Sequence, residues 1–169
     1  GIPVDFNKNE NKFNWELVFC ELYAGGKYNN NSAQNYEYSL GLNGLGLCST
    51  QYSSEYMDVE IKRDGFIYSL HFEKGENIGG LKKEPYNKKD TGTKIRWKPD
   101  FEVFTDIDIK PAYFLDIIKR QAIVNAGLKF IFKSQVGENF EVTEFNYENG
   151  IVDHVKELVG EAFLTPVQF

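Results

Sequence analysis

The run Gly41-Leu42-Asn43-Gly44-Leu45-Gly46 has the spacing in this chain best suited to chemistry. Glycine adopts positive φ without strain and has no Cβ to hold a ligand away. Glycines at the first, fourth and sixth positions therefore let a backbone wrap closely around phosphate oxygens. The run opens onto a helix expected over Leu47 to Tyr56, whose free N–H groups and positive dipole end favour an anion. Two common nucleotide loops are excluded by the spacing. The dinucleotide fingerprint needs glycines at positions one, three and six, and the P-loop needs Gly-Lys-Ser/Thr where this chain has Gly46-Leu47-Cys48. Taken alone, a glycine hexapeptide is also compatible with a plain turn.

Its neighbours narrow the reading. Ala24-Gly25-Gly26-Lys27-Tyr28 lies upstream and Thr91-Gly92-Thr93-Lys94-Ile95 downstream. In this order the three motifs resemble the ATP-binding domain of type IIA DNA topoisomerase B subunits (those of gyrase and of topoisomerase IV), members of the GHKL ATPase superfamily. Gly1-Ile2-Pro3-Val4, Val59-Glu60-Ile61-Lys62-Arg63-Asp64-Gly65 and Asn149-Gly150-Ile151 extend the resemblance over nearly the whole chain.

The resemblance implies roles residue by residue. Lys27 would begin the ATP lid and reach a phosphate, and Gly41, Leu42, Asn43, Gly44, Leu45 and Gly46 would close it over the phosphates. Arg63 would stand at the mouth of the adenine pocket, and Thr93 would hydrogen-bond the adenine site through water. Ile2 and Pro3 would line that pocket, as would Val18 and Ile95, for which an ordinary core position serves equally well. Asn43 occupies the place of a histidine in many bacterial gyrase B chains, and its pairing with Gly44 looks more like the eukaryotic type II enzymes. The family's general-base glutamate and magnesium-binding asparagine lie upstream of the motifs present here, and its transducer lysine lies downstream. No catalytic or metal-binding residue is assigned within this chain, which is expected not to turn over ATP alone. Gly1 reads as the last glycine of an Asp-x-Gly-x-Gly motif or as a tag remnant.

The elements that must position these residues follow from periodicity and turn chemistry. Trp15, Val18, Phe19 and Leu22 recur at helical spacing, predicting a helix from Asn14, as N-cap, to Tyr23. Asp64-Gly65 joins strands expected over Asp58–Lys62 and Phe66–Phe72. Lys82 to Asp90 reads as a charged loop, more a solvated surface than a set of DNA contacts, and Thr93 to Lys98 as a strand. Pro111 starts a helix to about Asn125. A second hairpin, Leu128–Lys133 with Phe140–Tyr147, turns around Val136-Gly137-Glu138, and a short helix runs from Gly150 to Val159.

Two hairpins and a further strand, with intervening helices and no regular βαβ alternation, favour an α+β fold. The family implies a GHKL-type two-layer sandwich, a mixed and mostly antiparallel sheet with helices on one face. One partial ATP-binding domain is expected over 1–169, with a lid at about 25–46 and a C-terminal half at 57–159. His71 and His154 show no accompanying carboxylate pattern in the sequence and receive no role.

Bulk properties agree with such a module. The 169 residues are 41% hydrophobic and 15% aromatic, enough for a packed core. A net charge of −6 argues against a nucleic-acid-binding surface over the domain as a whole. No apolar stretch approaches the roughly 18 residues of a membrane span, and Cys20 and Cys48 form no metal or disulfide framework. The expected partners are ATP with magnesium and, through the parent protein, DNA, the topoisomerase A subunit and a second copy of the parent chain, in the cytoplasm. The alternatives are a non-catalytic scaffold module of the same fold or another GHKL ATPase.

Overall fold

A computed structural model describes residues 1–24 and 44–160. Contacts separate two compact units, Gly1–Ile107 and Asp108–Phe169, where the sequence suggests one domain.

The first unit is built on the Asp64-Gly65 turn. Both residues have positive φ, 53° and 78°, as a two-residue turn matched to strand twist requires. It pairs β3 (Ser54–Arg63) with β4 (Phe66–Glu73), Arg63 opposite Phe66 and Asp58 opposite His71. On the other side of β3 lies β7 (Gly92–Pro99), also antiparallel. Two short strands, β5 (Glu76–Asn77) and β6 (Lys82–Pro85), share the outer edge of β4. A small hairpin, β1 (Phe6–Asn7) with β2 (Lys12–Phe13), precedes the first helix.

Side-chain alternation sorts the sheet's faces. Met57, Val59, Ile61, Leu70 and Phe72 point inward and are almost fully buried with Val4, Trp15 and Phe19. Each such side chain contributes about 1.5–3 kcal/mol on burial. Trp15 and Phe19 come from α1 (Asn14–Cys20) and pack their rings on Phe72, with centroids 6.5 and 5.7 Å away. Asn14 is the first helical residue rather than the N-cap. The cap is Phe13, whose N–H donates to the Glu16 carboxylate at 2.7 Å.

Several expected boundaries move, β3 beginning four residues before the expected Asp58. The first helix ends at Cys20, because Glu21 is already extended at φ −117°, ψ 135°. The helix after the glycine run, α2, covers Gly46–Tyr52 and stops four residues early. There the Ser53 and Ser54 hydroxyls donate back to the carbonyls of Ser49 and Thr50, and β3 takes over the chain. Within the expected charged loop, Lys82–Pro85 forms β6.

The second unit holds α3 (Pro111–Val124), an antiparallel ribbon of β8 (Lys129–Val136) and β9 (Asn139–Asn146), and α4 (Ile151–Val159). Phe114 of α3 stacks on Phe132 of β8 at 5.8 Å. Glu157 of α4 accepts from the Tyr147 hydroxyl at 2.7 Å and from the Lys119 ammonium at 3.1 Å.

Candidate functional site

Strand parity decides which candidate residues can meet. Ile61 and Arg63 share the inner face of β3, and Thr93 and Ile95 of β7 lie opposite Ile61 and Val59 on that face. The N-terminal segment crosses this end of the sheet. The Ile2 N–H donates to the Thr93 hydroxyl oxygen at 3.1 Å, and Arg63 Nη1 donates to the Gly1 carbonyl at 3.0 Å. Three residues far apart in sequence thus converge on one corner. A Cβ at Gly1 would lie 2.7 Å from the Gly92 carbonyl oxygen and 2.8 Å from that of Lys62, so no larger residue fits without displacement. Val18 and Ile95, with Ile2 and Leu47, are half-buried against the core.

The corner stays open to solvent. Thr93 and Pro3 are exposed, and Arg63 is half-exposed. The Arg63 guanidinium is oriented from two sides, since Nε also donates to Asp64 at 3.0 Å. Two of its five N–H donors are thereby used. The Thr93 hydroxyl accepts from Ile2 and can still donate, because its proton rotates to suit a partner.

A polar cluster that sequence reasoning missed gathers beside the Lys62–Gly92 end of the sheet. Asp90 accepts from the Tyr86 hydroxyl at 2.8 Å and from Lys62 Nζ at 3.3 Å, and the Lys62 ammonium lies 5.0 Å from the Tyr86 ring centroid. The hydrogen bond from Tyr86, then that from Lys62, holds the Asp90 carboxyl below its ordinary range. The signal in the sequence is weak: a tyrosine and an aspartate four apart, inside a stretch that reads as solvated.

Of the phosphate run, Gly44, Leu45 and Gly46 are described. Gly44 has φ +61°, where a Cβ-bearing residue is strained. Leu45 caps α2, and its carbonyl accepts the Ser49 N–H at 2.9 Å. Around Gly46 a Cβ would meet nothing within 4 Å, so the backbone is open to a close neighbour there. Lys27, Gly41, Leu42 and Asn43 lie outside the described residues, as does most of the expected lid.

The outer face of the sheet carries a second polar grouping, against the expectation for His71. Its Nδ1 is 2.7 Å from Asp58 and its Nε2 is 3.1 Å from Glu73. These carboxylates, Asp58 foremost, raise the imidazole pKa above its ordinary value. Cross-strand pairing brings Asp58 to His71, and counting back from the Asp64-Gly65 turn would have revealed it. His154 likewise has a carboxylate neighbour, Glu157, at 3.4 Å. An open cleft of about 370 Å³ lies over this outer face, with Ser69, His71, Lys82, Lys94 and Arg96 among its lining. It is on the opposite side of the sheet from Arg63 and Thr93.

Among the described residues no group of three or more His, Cys, Asp or Glu side chains is placed to hold a metal ion. Nor is any described helix long and apolar enough to cross a membrane.

Comparison with known proteins bears on the chain as a whole. The chain is 31% identical over 160 residues to the B subunit of DNA topoisomerase 4 from Salmonella typhimurium, covering 94% of this chain and 25% of that protein. It is 35% identical over 159 residues to the B subunit of DNA gyrase from Thermotoga maritima, covering 94% and 24%. The chain therefore spans about a quarter of the length of these curated relatives. The 43K ATPase domain of Thermus thermophilus gyrase B, solved with an aminocoumarin, superposes with a TM-score of 0.72 at 26% identity, over 98% of this chain and 40% of that one. The topoisomerase IV ATP-binding domain of Francisella tularensis, solved with a small-molecule inhibitor, gives the same TM-score and identity, over 95% and 41%. No family model matches the chain. Sequence and structure agree over nearly all of its length, and the chain belongs to the family of ATP-binding domains of type IIA DNA topoisomerase B subunits.

Proposed function

We propose that this chain binds the adenine end of ATP at the corner formed by Ile2, Pro3, Arg63 and Thr93, and the phosphates along Lys27 and Gly41 to Gly46. In the parent protein, ATP binding and hydrolysis would drive dimer closure and the passage of one DNA duplex through another, together with a topoisomerase A subunit, in the cytoplasm. The observation that carries the reading is the convergence of Ile2, Arg63 and Thr93 on one solvent-open corner of the inner sheet face. Within it, Thr93 offers a hydroxyl beside the apolar Ile2 and Ile95, the mixed lining that a flat, polar-edged base requires. Arg63, held by Gly1 and Asp64, presents a planar cation for stacking. Gly44 supports a tight backbone turn before α2. Magnesium is expected with the nucleotide, but the described residues offer it no ligand set. The relatives favour neither the scaffold reading nor another GHKL ATPase.

Calorimetric titration of the chain with ATP, GTP and inorganic triphosphate tests the proposal. ATP is expected to bind weakly but more tightly than either competitor. Thr93→Val and Arg63→Ala should each weaken ATP at least threefold while leaving triphosphate unchanged. Equal binding of ATP and triphosphate, or an unaffected Thr93→Val, overturns the adenine assignment. Gly44→Ala should weaken both ligands, more than Asn43→Ala does, because it strains the loop by about 1–2 kcal/mol and withdraws several backbone contacts together. Phosphate release should stay at background, since no residue here is assigned to activate water.

A further inference from the structure

Cys20 closes α1 and Cys48 lies in the first turn of α2, and these two helices pack on each other. They flank residues 25–43 from either side. Both cysteines are free thiols, Cys48 buried and Cys20 partly exposed. Tyr52 is one helical turn beyond Cys48, so the two share a face of α2. That face is turned to the end of α1, since the Tyr52 hydroxyl reaches the Cys20 carbonyl oxygen at 3.5 Å. The Tyr52 ring is backed by Gly75, where a Cβ would stand 2.7 Å from ring carbon Cδ1, so α2 has little freedom to slide. Consistent with this, charge on Cys48 is felt at Cys20, and charge on both is felt at Tyr52.

We propose that Cys20 and Cys48 are a disulfide-forming pair that, on oxidation, ties α1 to α2 across the roots of the 25–43 segment. The oxidant is a small-molecule disulfide of the glutathione class. The Cys20 thiolate, the more accessible, attacks one sulfur and expels a thiolate, leaving a mixed disulfide. The Cys48 thiolate then attacks the Cys20 sulfur, forms the protein disulfide and expels the second small thiolate. The two leaving thiolates take up the protons lost by the cysteines, and two electrons pass from protein to oxidant. The inference stands apart from the nucleotide reading. It needs only the two helices as they are placed.

Burial, with smaller contributions from Cys48 and Glu16, pushes the Cys20 thiol up to about 11, and burial raises Cys48 as well. The reactive species is the thiolate, so the reaction should quicken by about tenfold per pH unit between pH 7 and 9. The full chain, held reduced and then exposed to glutathione disulfide, is mapped by mass spectrometry without reduction. The expected product is one intramolecular link between the Cys20 and Cys48 peptides, two hydrogens lighter than the dithiol and reversed by dithiothreitol. Its yield should fall at least fivefold in denaturing urea, where the helices no longer hold the pair. In Cys48→Ser the reaction should stop at a glutathione adduct on Cys20. The proposal is overturned by separate adducts on both cysteines, by a link between chains, by no reaction, or by equal yields in native and denaturing buffer.

Discussion

The two units use similar elements and reach opposite degrees of closure. In the first, Phe19, Met57, Ile61 and Phe72 are essentially inaccessible, because helix, hairpin and sheet all present apolar faces to one another. In the second, Ala122 is the one buried apolar residue among those described, while Tyr113, Ile117, Phe140, Val142 and Leu158 are each more than half exposed. A helix on a two-stranded ribbon has too little surface to enclose a core, and isolated ribbons are marginal. The difference teaches where order comes from. The first unit is held by packing; among the described residues the second relies on its ribbon, two ring contacts and a carboxylate clamp, and the candidate site stands on the packed unit.

Several variants would break or sharpen this contrast. Both tryptophans, Trp15 and Trp97, lie in the first unit, so fluorescence follows it selectively. Phe72→Ala should have the largest effect, about 3–5 kcal/mol lost from a urea midpoint read by tryptophan. Phe114→Ala should cost the second unit about 0.5–1.5 kcal/mol for the lost ring stack, seen as faster hydrogen exchange over β8 and β9. If that variant moves the tryptophan transition as far as Phe72→Ala does, the contrast is wrong. Gly1→Ala should lie between these two, costing about 1–3 kcal/mol through overpacking against Gly92 and Lys62. Its distinctive sign is loss of the Ile2–Thr93 hydrogen bond by nuclear magnetic resonance.

One group in each unit should answer pH in the opposite direction from the other. The folded pKa of His71 is raised, so its contribution is complete below the unfolded value of about 6.5 and is lost as pH climbs through the folded one. The first unit should soften as pH rises above that unfolded value, and Asp58→Asn should flatten that trend. Glu157 is held down, to about 2, by the Tyr147 hydroxyl first, then by Lys119 and His154. Its contribution is present above the ordinary value near 4.5 and is lost as pH falls toward about 2. The second unit should therefore loosen in acid, and Glu157→Gln should reduce the dependence, leaving the part due to Asp153, which the Asn149 N–H holds down. Smallest of all, Arg120→Ala breaks the exposed pair with Asp116 at 2.9 Å and should shift exchange in α3 by no more than about 0.5 kcal/mol.

What the sequence made legible was chiefly local. The Asp64-Gly65 hairpin and the helix opening at Pro111 carry their own turn and capping chemistry, and they fall within a few residues of expectation. Strand β6 was illegible because Lys82-Lys83-Glu84-Pro85 has no apolar alternation. It gains its place through main-chain pairing to β4 and through Lys83, whose ammonium sits 3.8 Å from the Phe66 ring centroid. The early end of α2 turned on serine hydroxyls competing for helical carbonyls. Ile2, Arg63 and Thr93 could not have been joined by spacing, since their contact is a product of sheet parity and an N-terminal crossing. Family resemblance linked them before geometry did. Asp90 and His71 carried no such resemblance: register reveals Asp58 beside His71, while Asp90 meets Tyr86 only four residues away and Lys62 through the fold.

The two-residue turn at Asp64-Gly65 has a consequence for how this domain can change over generations. From Met57 onward, odd positions of β3 supply the core and the Arg63 corner, and even positions supply the charged outer face, so a substitution in one set leaves the other nearly untouched. The surface can drift toward new neighbours while the interior is conserved, or the reverse. An inserted or deleted residue between these positions and the turn has no such latitude. With the hairpin pairing kept, it would exchange the two sets upstream of the edit, putting Asp58 inside and Val59 in water. The strand tolerates many spellings, provided its length is never edited at that point.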